Sequence, residues 1–215
     1  MKNELIKKSK IKKESLTEFE NFIQEIKDID LIEKKSIKKI KIKNFVAFNM
    51  NFETCIFEDT EIIDGNLEKS FFTDIEFINS NFSNTSFEKC SFVRCKFENC
   101  KITGANFTDA KFYNVQFLET NANYVNFSLA SLENVLLKNT SLRNSFFQEN
   151  RIKNLILDKA DFRETQFFKT KLKDIDFSDS NIEGISVNID DIKGAKINQF
   201  QLNDLIYLLG VKIVN

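Results

Sequence analysis

From Phe52 to Leu202 every fifth residue is Phe, Leu, Ile or Val, with Ala122 the one exception. Nothing else in the chain constrains its fold as strongly. The chain is 42% hydrophobic, so an unbroken column at one position in five cannot come from composition, and it is a repeat without insertions, to be read before secondary structure. A period of five fits neither the helical period of about 3.6 nor the strand period of about 2.0. Two places before many of the apolar positions stands a small or compact residue: Cys55, Ser70, Thr85, Cys90, Cys95, Cys100, Ala105, Ala110, Val115 and Ala130. Large and small residues both look inward. In–out–in over three residues is a short extended segment, and the remaining two, usually polar and often Asn, turn a corner. Corners of one hand close the chain on itself and stack successive coils about 4.8 Å apart, each pairing its backbone with the next. Three walls or four would both close.

The segments Ala105-Asn106-Phe107-Thr108-Asp109, Ala160-Asp161-Phe162-Arg163-Glu164 and Ser180-Asn181-Ile182-Glu183-Gly184 follow the order small, Asn or Asp, a large apolar residue (Phe, or Ile in the third), then two further, mostly polar, residues. In this the chain resembles the pentapeptide repeat proteins, over about three quarters of its length. The resemblance implies an all-β fold, a right-handed quadrilateral β-helix of about twenty residues per coil.

The ends are read from the residues. Residues 1–14 carry Lys2, Lys7, Lys8, Lys10, Lys12 and Lys13 without a clear period; they are expected to form a basic flexible arm, a solvated tail in the plain reading and a contact for nucleic acid or anionic lipid in the other. Over residues 15–36 a capping helix is expected. Ser15 and Glu18 have capping-box spacing, and Leu16, Phe19, Phe22, Ile23 and Ile26 share one helical face that can cover the first coil or receive a partner. The solenoid takes residues 37–202, its first coil irregular because Ile40 and Phe45 are oversized at the small position, with regular structure from about Phe52. Residues 203–215 form a helix-and-strand cap: Asn198 can cap a helix that stops at Gly210.

The chain has no His, Pro or Trp, which removes the commonest general base and metal ligand. Cys90, Cys95 and Cys100 look like a metal motif until the register is applied; each fills the small inward position of a different wall, with no His or carboxylate to complete a set. Asp190, the one acid in inward phase, is read as a turn residue. No nucleophile–base pair, Gly-rich phosphate loop or paired inward carboxylate is present. The chain is therefore expected to be neither an enzyme nor the holder of a metal or cofactor. Four cysteines without a need for staples agree with a reducing cytoplasm, and no apolar run is long enough to span a membrane.

Function then falls to the outer surface. The first 43 residues carry an excess of five positive charges and the remainder an excess of six negative. On the wall centred on Phe57, Phe77 and onward, eight acids point outward: Glu58, Asp59, Glu76, Glu98, Glu119, Asp158, Asp176 and Asp179. Four lysines, Lys96, Lys138, Lys159 and Lys196, dilute them. The preceding wall turns basic in its later coils, at Arg151, Lys153, Lys171, Lys173 and Lys193. A quinolone-resistance (Qnr-type) branch of the family is similar to this chain in its ending, and that resemblance implies a DNA mimic whose partner is a type II topoisomerase, DNA gyrase or topoisomerase IV, engaged through the acidic wall. It also implies a homodimer joined at the C-terminal end through Leu202, Leu205, Ile206, Leu208, Leu209, Val211 and Ile213, residues too apolar for one stripe. The rival reading is an interaction scaffold for an unrelated protein, favoured by the outward apolar residues Leu118, Leu136 and Ile156 on the same wall. In both the expected partner is a protein, not a nucleic acid or a membrane.

Overall fold

Residues 6–19, 22, 26 and 29–210, the side chain of Leu209 excepted, are described in a computed structural model, in which the five-residue period winds into a parallel β-solenoid of about seven turns. Partner residues stand twenty apart throughout, as in Asn51↔Phe71, Lys111↔Ser131 and Ser131↔Arg151. With five residues to a wall, that register selects four walls over three. Wall 1 is centred on Phe52, Phe72 and their successors, wall 2 on Phe57 and Phe77, wall 3 on Ile62 and Phe82, and wall 4 on Leu67 and Phe87. Walls 1 and 2 share continuous strands, Asn51–Glu58, Phe71–Ile78, Lys111–Leu118, Ser131–Lys138 and Arg151–Asp158. In one coil the strand divides at Arg94 into Ser91–Val93 and Lys96–Glu98. Wall 3 begins with the short strand pair Lys41–Lys43 and Glu61–Ile63, and beyond it walls 3 and 4 are tied by single bridges such as Asn81↔Lys101 and Asn106↔Asn126.

From Lys34 to Asp174 each corner is made by one residue in the left-handed region, two places after the inward apolar one: Asp74 at φ 55°, Asn114 at 57° and Asn134 at 56° are typical. Asn and Asp tolerate that region better than other residues bearing a Cβ, which explains why they recur there.

Inside, the apolar column is buried from Phe52 through Phe147 and again from Phe162 through Val187, with Ile152 and Leu157 half-buried between. Rings stack coil upon coil: Phe72–Phe92 at 4.8 Å, Phe77–Phe97 at 4.5 Å and Phe87–Phe107 at 5.0 Å between centroids, the spacing of paired strands. At Ala122 the rung is narrow, and there Phe117 and Phe127 of opposite walls meet edge to face at 6.1 Å. The small positions have a second task. Thr85, Thr165 and Thr170 each donate a hydroxyl to the carbonyl oxygen twenty-three residues back, at 2.7, 2.6 and 2.5 Å. Cys90, Cys95 and Cys100 place their Sγ in the same relation, 3.0, 3.2 and 3.4 Å from the carbonyls of Leu67, Phe72 and Phe77. Burial pushes all three thiols up to about 12; they are donors within a core, as their phase requires.

Both ends differ from expectation. The solenoid begins earlier than residue 37, since Leu31–Glu33, within the span expected to be helix, and Lys35–Lys38, which straddles its end, pair with Asn51–Glu58 at the twenty-residue register. Left-handed corners at Lys34, Lys39 and Asn44 keep the first coil regular. Phe45 is tolerated at a small position because Phe22 packs on it at the end of the stack, 5.6 Å from Phe45 and 6.3 Å from Phe57. Phe19, Phe22 and Ile26 do bury against that end. The helix expected from Ser15 is absent in residues 15–19: Ser15 donates its hydroxyl to Lys12 O at 2.7 Å, closing a 3-10 turn, and Thr17–Glu18 forms a strand against Lys35–Ser36. A backbone edge is available on that first coil, and pairing with it satisfies more donors than one capping side chain can. Phe22 and Ile26 retain one helical bond, Ile26 N to Phe22 O at 3.1 Å, while Ile23 lies outside the described residues.

At the other end a short helical turn, Ile189–Ile192, holds Asp190 exposed and paired with Lys193, so Asp190 is a surface residue. Asn198 caps the last segment as expected, accepting from Phe200 N and Gln201 N while Gln201 returns its side chain to Asn198 N. The segment runs as a 3-10 turn Gln199–Gln201, an α-helical turn Leu202–Leu205 and a 3-10 turn Ile206–Leu209, and ends at left-handed Gly210. Leu202 leaves the inward column and is 59% exposed, because the helical period replaces the pentad there.

Candidate partner-binding surface

The eight acids of wall 2 do not form an open anionic face. Glu58 is half-buried beside Lys38 at 3.4 Å. Glu76 and Glu98 both reach Lys96, at 3.3 and 2.7 Å. Burial opposes the Lys96 charge, yet the Glu98 and Glu76 carboxylates outweigh it and hold its pKa above the ordinary lysine range. Asp158 pairs with Lys138 at 3.3 Å. Asp176 accepts from Ser178, both from N at 3.2 Å and from Oγ at 2.6 Å. Asp59, Glu119 and Asp179 stand exposed, Asp59 and Glu119 as left-handed corners.

The larger departure is the N-terminal segment. Expected as a free tail, it lies along wall 2 from residue 6 onward. Ile6 is 3% exposed, packed on Leu136 and Ile156 with Leu118 beside them. Leu136 and Ile156 are register neighbours; stacked isoleucine and leucine leave an apolar notch that water would otherwise wet, and one aliphatic side chain fills it. The three outward apolar residues expected to await a foreign protein are thus covered by this chain's own Ile6.

Beyond Ile6 the arm follows the corner between walls 1 and 2. Lys7 N donates to Asn114 Oδ1 at 3.2 Å, Ser9 Oγ to Glu76 Oε1 at 2.6 Å, and Lys10 N to Asp74 Oδ1 at 3.0 Å. Asp74 is fixed from the other side by Arg94, whose Nε and Nη2 reach its two oxygens at 2.7 and 2.6 Å. Burial alone would raise the Asp74 pKa, but the Arg94 guanidinium and the Lys10 N–H prevail and hold it below the usual carboxylate range. Leu16 then shares a crevice of about 270 Å³ with Ile56, Glu58 and Ile78. Lys7, Lys8, Lys10, Lys12 and Lys13 all remain exposed, so the arm lays positive charge over the acidic wall.

Sequence reasoning missed Asp74, Asn114, Ser9 and Ile6 as surface-defining residues. A signal existed: Ile6 stands at the head of a lysine run, and three apolar residues point outward on one wall. Nothing local joins the two, since Ile6 and Leu136 are far apart in sequence.

Of the residues expected at a dimer contact, Leu202 is exposed, Ile206 is half-buried, and Leu205 and Leu208 pack back onto their own core. The Leu209 side chain, Val211 and Ile213 lie outside the described residues. Phe200, 79% exposed, and Tyr207, 47% exposed, join that end unforeseen. Among the described residues no group of acids and thiols could hold a metal ion, and no helix is long and apolar enough to cross a membrane.

Two family models match, one described as a pentapeptide repeat region over residues 70–147 and one as pentapeptide repeats over residues 151–184, together just over half of the chain. No curated protein matches in sequence. Similar solved structures include full-length QnrB1, a plasmid-mediated fluoroquinolone resistance protein, at 15% identity and a TM-score of 0.47, covering 84% of this chain and 100% of that one. HetL, a pentapeptide repeat protein involved in heterocyst differentiation regulation from the cyanobacterium Nostoc sp. strain PCC 7120, aligns at 11% identity and a TM-score of 0.37, covering 77% and 84%. Rfr23 from the cyanobacterium Cyanothece 51142 aligns at 10% identity and a TM-score of 0.21, covering 83% and 98%.

Proposed function

Because this chain belongs to the pentapeptide repeat proteins, we propose that it is a non-catalytic, cytoplasmic protein-binding solenoid that receives a basic protein partner on wall 2. The observation that carries this reading is the arm itself: wall 2 accommodates an extended, lysine-rich segment, anchored by Ile6 and held by Asp74, Glu76 and Asn114. A wall that binds one such segment has the apolar notch, the acceptors and the charge to bind another.

In its narrower form the partner is DNA gyrase or topoisomerase IV, with the carboxylates of wall 2 standing in for phosphates at an electropositive saddle and quinolone sensitivity as the outcome. Glu119, Asp176 and Asp179, beyond the segment that Ser9 and Lys10 cover, favour it, since acids aligned on one face steer a basic partner. The wider form, a scaffold for an unrelated basic protein, is favoured by the lysine pairing of Glu58, Glu76, Glu98 and Asp158. Purified gyrase and topoisomerase IV distinguish them. Wild-type protein should bind and alter supercoiling, and a variant carrying Glu98→Lys, Glu119→Lys, Asp158→Lys and Asp176→Lys should not. If wild type leaves both enzymes unbound and unchanged, the wider form stands.

Two copies joined at the C-terminal end complete the proposal, with Phe200 and Leu202 supplying the outward apolar surface and Leu205 and Leu208 sealing the last coil. Sedimentation equilibrium should give twice the 25.1 kDa of one chain, and Phe200→Glu with Leu202→Glu should return it to one. A wild-type monomer at micromolar concentration overturns the dimer.

A further inference from the structure

The corner between walls 1 and 2 repeats in step with an extended peptide. Its left-handed residues, Asp74, Arg94, Asn114, Asn134, Asn154 and Asp174, stand one per coil, so Asp74 and Asn114 are two coils, about 9.6 Å, apart. The arm residues whose N–H groups they accept, Lys10 and Lys7, are three residues apart, and three residues of extended chain advance about 10 Å. Two coils therefore match three peptide residues, and the arm runs opposite to the order of the coils. Asn154 is the next corner in that series, and a crevice of about 150 Å³ lined by Asn154, Ile156, Asp174 and Asp176 continues the line beyond the Ile6 notch.

The arm satisfies this corner incompletely. Asn114 is 2% exposed and its Oδ1 holds Lys7 N, yet its Nδ2 is buried with no hydrogen-bond partner among the described residues. A buried amide left half-paired is destabilising, and a backbone carbonyl presented beside the N–H would relieve it. Between arm and wall a crevice of about 180 Å³ remains, lined by Lys8, Ser9, Glu76, Lys96, Gln116 and Leu118.

We propose that the corner of walls 1 and 2 is a binding groove for an extended peptide segment of a partner protein, an aliphatic anchor followed by lysines, read at every third residue by Asp74 and Asn114, and that residues 6–10 are its built-in, exchangeable occupant. The anchor enters the notch of Leu118, Leu136 and Ile156; one N–H reaches Asn114 Oδ1 and another, three residues on, reaches Asp74, which Arg94 holds in place. Lysines suit the occupant because the Asp74 and Glu76 carboxylates lie along the track, with Glu98 close by on Lys96. This deepens the reading of wall 2 as the partner surface and rests on it: a partner must supply a segment of this kind and displace the arm.

The test uses the full chain. In a variant with Ile6→Asp and Ser9→Asp the anchor is lost and a carboxylate faces Glu76, so the arm should leave the groove, and trypsin should cut after Lys7 and Lys8 at least tenfold faster than in wild type. A fluorescein-labelled peptide of residues 1–14 should then bind the variant, by anisotropy, at least tenfold more tightly than it binds wild type, whose groove is filled. Adding Asn114→Ala or Leu136→Asp should remove that binding, and a peptide carrying Ile6→Asp should not bind. An arm that resists trypsin in the variant, equal peptide affinity for variant and wild type, or binding indifferent to Asn114→Ala would each overturn the groove. Peptide binding by the released variant without any effect on gyrase or topoisomerase IV would leave the groove standing and remove only the topoisomerase form of the partner reading.

Discussion

The inside and the outside of wall 2 answer to different rules. Inward, Phe57, Phe77, Phe97 and Phe117 repeat one solution, each ring stacked on the next at 4.5–5.2 Å, because each coil offers its neighbour the same shape. Outward, the positions just before these four and before Leu137 and Leu157 read Ile56, Glu76, Lys96, Gln116, Leu136 and Ile156, with no repeat, and their meaning comes from what lies across them. Local periodicity fixes the first set; a segment from the far end of the sequence fixes the second. An irregular exterior on a regular solenoid is where a partner, internal or foreign, leaves its imprint.

The largest effect that could break this contrast is in the ladders. Phe107→Ala removes a ring stacked on both Phe87 and Phe127 and should cost about 3–5 kcal/mol in urea unfolding, whereas Phe71→Ala, on an outward side chain 53% exposed, should stay within about 0.5 kcal/mol. Equal losses would mean that inside and outside have been confused. Next comes the arm. Ile6→Asp strips the notch of its cover and should cost about 1.5–3 kcal/mol, the worth of burying one aliphatic side chain, read from the same unfolding curves; no loss would make the outer face of wall 2 as indifferent as that at Phe71.

Acid sharpens the contrast further. Asp74 is depressed in the folded protein, so its contribution is fully present above the ordinary aspartate value of about 3.9 and is lost as pH falls through the lower folded one. Below that window the Lys10 amide resonance should shift and exchange faster while amides of the inner ladder hold; simultaneous loss of both would place the arm within the same cooperative unit as the core. The smallest effect concerns the corners. Leu129 is left-handed at φ 63° and 45% exposed, and Leu129→Asn should gain about 0.5–1 kcal/mol by easing a conformation that costs a residue with Cγ branching more than it costs Asn.

Much of the fold could be read from single residues taken in phase. The apolar column, the thiols of Cys90, Cys95 and Cys100 and the cap at Asn198 each depend on neighbours that the period itself supplies. The walls' exterior could be read only as a roster of charges: Glu76 and Glu98 were visible as acids, but that Lys96 sits between them follows from stacking, and that Ser9 reaches Glu76 follows from nothing local. Ser15 and Glu18 misled for the same reason, since a capping pattern and an edge strand compete for one stretch and the first coil's free backbone decided between them. Leu202 marks the other limit, a position in phase with the column where the chain had already changed period.

The arm also alters how such a molecule can come apart. Coil-to-coil bonds join residues about twenty apart, so a bare stack can peel from its ends one coil at a time, its stability a sum over neighbours. The arm's bonds to Asp74, Glu76 and Asn114 join residues 64, 67 and 107 apart, and its anchor sits farther still along the stack. It works as a splint over several coil interfaces, making the loss of any one of them cost contacts at the others. In synthesis the order is inverted: residues 6–10 emerge before the coils they bind yet cannot settle until Ile156 has followed, so a segment made ahead of the stack is the one that closes it.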